Sequence, residues 1–432
     1  MAKVLVDVSP LKRSREFRLL FFGQLVSWMG SQLTVVSVAI QVYALTHSSF
    51  AVGMVSLAQL PPTLIGALVG GAIVDSRDRR RLMMFAQVAQ GVMSVGLAVN
   101  AMQHGPALWP LYVLTAMAAG LSGIDRPARA AVVPNTVDKP QLPAAMALWQ
   151  IQMQLGIVIG PAVAGLLIAA FHSHLAPVFW IDVATFGVAL FSVSLMRPLP
   201  PEGGGTKASF GSIAEGLRFL KGRQVLQGTF LIDINAMVFG MPRALFPALG
   251  ATVFRGGPQT VGLLFAAPGA GALVGAATTG WVGSVKRHGR AVIIAVIVWG
   301  AAIAGFGMTT WLPLALFLLA LAGAADVVSA VFRNTMLQST TPDSLRGRLS
   351  GVHIGVVTGG PRLGDAEAGA VAAVTSPRIS VVSGGLACMV GALIVARLLP
   401  RFTRYTADDS GEWGSPAATT LDVAKETEIK GV

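Results

Sequence analysis

Twelve apolar stretches follow one another through this 432-residue chain, each near or above the roughly 20 residues a helix needs to cross the hydrocarbon of a bilayer. Their approximate limits are 17–45, 51–74, 82–103, 107–127, 143–171, 175–195, 225–254, 259–284, 290–309, 312–334, 345–375 and 379–400. In lipid a backbone must satisfy its own hydrogen bonds, so such stretches predict helices and leave little room for other elements. The expected fold is an all-α membrane protein with twelve transmembrane helices. Composition agrees, with 53% hydrophobic and 12% charged residues, against about 25% charged in a soluble domain.

The basic residues test that count, because they collect on the cytoplasmic side of real spans. One set of gaps holds Lys12, Arg13 and Arg15; Arg77 to Arg81; Arg126, Arg129 and Lys139; Lys207, Arg218, Lys221 and Arg223; Lys286, Arg287 and Arg290; Arg346 and Arg348; Arg401 and Arg404. The other set offers only Arg255 and Arg378. Both termini are expected in the cytoplasm, which requires an even number of crossings. A net charge of +12 would point to nucleic acid in a soluble chain, but here the charge marks topology, so nucleic acid is not expected as a partner. No phosphate-binding Gly-x-x-x-x-Gly-Lys-Ser/Thr loop occurs, and the single cysteine, Cys388, allows neither an internal disulfide nor a cysteine metal site. His104, His172 and His174 fall in exterior loops and read as solvated, so no metal or other cofactor is expected.

The longest interior polar stretch, from Arg197 to Arg223, opens with prolines and Gly203-Gly204-Gly205 and divides the chain. The expected organisation is a cytoplasmic segment 1–16, a six-helix half 17–195, a linker 196–224 with an interfacial helix, a second six-helix half 225–400, and a disordered cytoplasmic tail 401–432. Phe210, Ile213, Leu217 and Leu220 carry the interfacial helix at helical spacing. The halves echo each other: Val52-Gly53 precedes Gly71 and Asp75 at the intervals by which Val261-Gly262 precedes Gly280 and Ser284. Asp125 and Asp326 each precede an Asn-Thr pair, a proline and a leucine, as expected of duplicated halves around a central site.

Three motifs carry a resemblance. Gly71-x-x-x-Asp75 leads into Arg77, Arg79, Arg80 and Arg81 at a membrane edge; span five contains Gly156, Gly160, Pro161 and Gly165; and span eleven reads Gly360-Pro361-Arg362-Leu363-Gly364-Asp365. Glycines four apart give a smooth face for close helix contact. On these residues the chain resembles the major facilitator superfamily, and more closely its enterobactin-exporter-like branch, which also contains drug and macrolide efflux proteins. The resemblance implies that Gly156 to Gly165 is the family's antiporter motif and that the loop after span two is a state-dependent gate. In that loop Ser76 replaces an expected arginine and Asp78 an expected glycine. Many proton-coupled drug antiporters of the superfamily carry an arginine in span four where this chain has Ala116.

Ionisable residues within spans are costly, by about 2.5 to 3.5 kcal/mol each on insertion scales, and are functional candidates by default. Asp233, Arg243, Arg362, Asp365 and Glu367, with Gln24 on a polar face of span one, are candidates for the substrate or proton pathway. Arg362 and Asp365 are three apart and could pair, as a structural ion pair or with Asp365 or Asp233 as a protonation site. Gly71, Asp75, Arg79, Arg80, Asp125, Arg129, Asp326 and Arg333 form the expected cytoplasmic gate, read as charge locks between halves or as topology anchors. Asp182 reads as lying near the lipid–water boundary. The expected function is a monomeric inner-membrane secondary transporter, not an enzyme, that exports a siderophore-like or drug-like molecule by alternating access, with the proton as partner. The alternatives are multidrug or macrolide efflux with no siderophore role, or a receptor or scaffold that keeps the fold without transporting.

Overall fold

The structure is a computed structural model that describes residues 7–74, 76–199 and 218–406, with the backbone alone at 72, 343, 344 and 346–348. Asp75, most of the linker with its expected interfacial helix, and residues 407–432 of the tail lie outside the described residues. The long helices are α1 (Arg15–Thr46), α2 (Ser49–Val74), α3 (Arg79–Met102), α4 (Trp109–Val132), α5 (Leu142–Ala170), α6 (Ala176–Ser194), α7 (Gln224–Phe239), α8 (Gly257–Ala277), α9 (His288–Met308), α10 (Leu312–Thr340), α11 (Asp343–Val374) and α12 (Pro377–Leu398). Among the described residues, ten segments are long and apolar enough to cross a membrane. α4 and α11 fall outside that set, their apolar stretches diluted by Asp125, Arg126 and Arg129 and by Arg362, Asp365 and Glu367.

Local chemistry sets the helix ends. Ser14, Asp78 and Ser376 cap α1, α3 and α12, each side chain accepting a backbone N–H from three residues on. Two predicted spans differ from the structure. The span 225–254 is broken: α7 ends at Phe239, Gly240-Met241-Pro242 interrupts it, and a short helix Phe246–Thr252 completes the crossing. Pro242 has no N–H to continue the ladder, and Trp299 Nε1 of α9 donates to the freed Gly240 carbonyl at 2.9 Å. The span 259–284 ends as α-helix at Ala277 and continues as a 3-10 turn, Thr279–Ser284. The repeat is also imperfect: Pro134 closes α4, whereas the matching Arg333 lets α10 run on to Thr340.

Helix contacts reveal the duplication. In the first half α1 packs on α5 and α6, α4 on α2 and α3, and α3 on α6. The second half repeats this with α7 on α11 and α12, α10 on α8 and α9, and α9 on α12. The halves meet along two further pairs, α2 with α11 and α5 with α8. One large apolar cluster fills the second half around Trp299, Phe306, Phe332 and Met336. The first half has two, one about Phe17, Met83 and Leu148 and the other about Val42, Leu97 and Phe179. Between those two clusters lie the buried polar side chains Gln24, Ser27, Gln87, Gln90 and Gln152.

Candidate functional site

The two inter-half seams are tight at the end of the bundle opposite the basic loops. A Cβ on Gly53 of α2 would lie 2.3 Å from the Asp365 carbonyl oxygen of α11, so only a glycine permits this approach. The second seam repeats the geometry, with the Gly262 position 2.5 Å from the Pro161 carbonyl oxygen and Gly165 directly opposite. At the basic end the space is open. Among the described residues nothing stands within 4 Å of a Cβ built on Gly71, Gly280 or Gly355. The closest inter-half approaches among the described glycines are therefore at the end opposite the basic loops.

Asp365 sits in the seal. It is buried and accepts the Ser56 hydroxyl of α2 at 2.7 Å and the Ala244 N–H, in the break after α7, at 3.1 Å. The carboxylate thus ties the halves together and does not pair with Arg362 as its spacing allowed. Arg362 instead donates from Nη1 to the Thr358 carbonyl of its own helix at 2.7 Å. Glu367 is half-buried two residues beyond Asp365 and points away from it.

Three arginines converge on the space between the halves. The charges of Arg126 and Arg243 both bear on Arg362, and Arg126 of α4 lies 5.3 Å over the ring of Trp28 of α1. The Asp365 carboxylate also bears on Arg362, but its oxygens are already engaged by Ser56 and Ala244. Arg243 Nε and Arg362 Nε are buried and have no hydrogen-bond partner among the described residues. Buried guanidinium N–H groups in that condition favour a charged acceptor from outside.

The remaining charge pairs close within halves. Arg129 pairs with Asp125 one turn away in α4, and Arg333 of α10 pairs with Asp233 of α7, its Nη2 also 3.7 Å from Asp326. These contacts lie inside one half, buried except at the partly exposed Asp326, so the expected charge locks between halves are not formed at these positions. Asp233 belongs to this triad and not to a free pathway. Arg79 and Arg80 likewise anchor one half: Arg79 Nη1 donates to the Ala131 carbonyl at 3.1 Å, and Arg80 Nε to the Val193 carbonyl at 3.2 Å with Nη2 on Ser194. Both cations cap the C-terminal ends of α4 and α6, where helix carbonyls and dipole favour them.

In the span-five motif, Gly156 and Gly160 seat Trp28 and Gln32 of α1, while Pro161 and Gly165 face α8 across the seam. One motif therefore packs two interfaces. Gln24 is fully buried, and neither atom of its amide has a partner among the described residues. Asp182 overturns the boundary reading: it is 1% exposed and accepts hydroxyls from Thr34 of α1 and Ser94 of α3, both at 2.7 Å. A lone carboxylate between apolar neighbours carries no local signal of partners 148 and 88 residues away in sequence. Trp28 and Ser56 join the site only through the tertiary structure, for an apolar face and a lone serine in a span carry no local signal of a site.

Comparisons with known proteins bear on this arrangement. The family described as "Transmembrane secretion effector" matches residues 6–427. The enterobactin exporter EntS of Shigella boydii is 28% identical over 413 residues, which cover 94% of this chain and 99% of that protein. The EntS protein of Citrobacter koseri is equally similar over 95% of this chain and 98% of its own. Among solved structures, the nucleoside transporter NupG superposes with a TM-score of 0.71 at 10% identity, covering 89% of this chain and 99% of that one. A bacterial homologue of the human lysosomal transporter Spinster, in an inward-facing and unoccupied conformation, gives 0.68 at 12% identity, over 90% and 98%.

Proposed function

The chain belongs to the transmembrane secretion effector family, and from that premise we propose that it exports an anionic small molecule from the cytoplasm by alternating access. It is a multi-pass membrane transporter, not an enzyme, and its relatives include enterobactin exporters. The observation that carries the finer reading is the tight seam at one end together with buried arginine N–H groups in the interior: Gly53 and Gly262 close the seams, and Arg243 Nε and Arg362 Nε have no acceptor among the described residues. With the basic loops taken as cytoplasmic, this is an inward-open state ready to receive cargo. Rocking about the midplane would close the Gly71 and Gly355 end and part the seams.

Within that class a catecholate-type siderophore is the first candidate, since Arg126, Arg243 and Arg362 supply cations and Trp28 an aromatic face. A lipophilic drug is the second. Asp365 is the candidate proton carrier, because its carboxylate holds the seal that must break for outward opening. Asp75, outside the described residues, and Arg79 and Arg80 remain proposed parts of the gate, with Asp125–Arg129 and Asp233–Arg333–Asp326 as its rigid supports.

Proteoliposomes containing the purified protein, loaded with either a catecholate siderophore or a neutral lipophilic dye and given an imposed pH gradient, test this reading. Gradient-dependent movement of the catecholate, lost in R243Q and R362Q, is expected. Movement of the neutral dye alone would favour the drug reading, and movement of neither would sink both. Indifference to the gradient would remove the proton.

A further inference from the structure

On the outer face of the first half, α3 and α6 diverge to leave a groove of about 580 Å³. Its walls are Met84, Phe85 and Val88 of α3 and Gly187, Leu190 and Phe191 of α6, with Ser194 at its basic end. Phe85 and Phe191 are 62% and 66% exposed, and Gly187 forms an open floor with nothing within 4 Å of a built Cβ. The two helices are pinned on either side of it, by Ser94 on Asp182 and by Arg80 on Val193 and Ser194. The gap is therefore a fixed shape, about 10 Å long from Gly187 to Ser194 at the helical rise.

Charge stands over one end only. Arg81 precedes Met84, Phe85 and Val88 by three, four and seven residues, so it lies on the same face of α3, directly above the groove. Its backbone N–H is taken by Asp78, but its exposed side chain makes no ion pair or hydrogen bond among the described residues, and neither does that of Arg77 in the preceding turn. Arg80, by contrast, is spent on α6 carbonyls. We propose that this groove binds one anionic phospholipid of the leaflet at the basic end, with an acyl chain along Phe85, Gly187 and Phe191 and the phosphate held by Arg81 and Arg77. An anionic headgroup fits better than a zwitterionic one, because Arg77 and Arg81 present two exposed cations in this turn against the single described carboxylate of Asp78. The site is separate from the central cavity, so it stands or falls independently of the transported substrate.

Native mass spectrometry of the full chain in detergent, titrated with phosphatidylglycerol, phosphatidylethanolamine or phosphatidylcholine of the same acyl chains, tests the site. Phosphatidylglycerol is expected to be retained preferentially, with retention falling about fivefold in R81Q, the loss of one membrane-surface cation. G187W, whose side chain enters open space and leaves the fold intact, should lower retention of the same lipid by filling the groove. A diazirine-bearing acyl chain should crosslink to α3 and α6 peptides in the wild type. Equal retention of the three lipids would overturn the proposal. So would wild-type retention in G187W, which would leave only a headgroup attraction, or crosslinks spread evenly over the bundle, the mark of ordinary annular lipid.

Discussion

Gly53→Ala should tip the transporter out of the state described above. The added methyl would stand 2.3 Å from the Asp365 carbonyl oxygen and 3.0 Å from its carbon. That is about 1 Å closer than carbon and oxygen normally approach, and backbone cannot rotate away as a side chain would. α2 and α11 must part there, and overpacking of this kind costs about 1–3 kcal/mol. The cost falls on the sealed state alone, because an opened seam has room for the methyl. The equilibrium between the two states should then move by about 5- to 150-fold toward opening at the end away from the basic loops. Cysteine accessibility can read the shift. The single native cysteine, Cys388, is fully buried and stays silent, while Gly355→Cys places a thiol in open space at the basic end. In inside-out vesicles an impermeant maleimide should label Gly355→Cys readily, and the added Gly53→Ala should slow that labelling in proportion to the fall in the labelled state's population, by at most the factor by which the equilibrium moves. Gly187→Ala, on the lipid face, should leave it unchanged. Unaltered labelling with Gly53→Ala would mean that the seam does not distinguish the states, and the alternating-access reading would lose its main support.

Other expected outcomes follow from buried charge. Arg333→Gln strands the Asp233 and Asp326 carboxylates and should destabilise the detergent-solubilised protein by about 3–5 kcal/mol, with much of the loss recovered in the R333Q/D233N double variant; thermal unfolding reads both. Asp365→Asn can still accept the Ala244 N–H on its one amide oxygen while its NH2 donates to the Ser56 hydroxyl, which reverses its role, so it should fold yet abolish gradient-driven transport; coupled transport at the wild-type rate would return Asp365 to a structural role. Asp182→Leu should lower the melting temperature by stranding the Thr34 and Ser94 hydroxyls, and Asp182→Asn should do so far less, since its amide oxygen still accepts them.

Much of the architecture was legible in the chain because the bilayer enforces it. Apolar runs of spanning length and alternating basic gaps depend on local composition, which lipid reads without reference to other helices. The Gly53 and Gly262 echo told of duplication. The break after α7 was harder to read, for Pro242 lies inside an apolar run of full spanning length, and a membrane helix can absorb a proline when neighbours satisfy its backbone. What lay beyond reach was pairing. Arg362 and Asp365 share a helical face, yet the carboxylate finds Ser56 and Ala244, 309 and 121 residues away in sequence, and Arg333 reaches back to Asp233. A buried charge takes the partner that geometry brings to its atoms, and helix spacing constrains only its own turns. The sequence alone determined that the chain crosses a membrane many times in two related halves. Only the tertiary structure decided which charges lock within a half, which one bridges the two halves, and which keep a buried N–H without an acceptor among the described residues, because those outcomes depend on how helices distant in sequence approach each other.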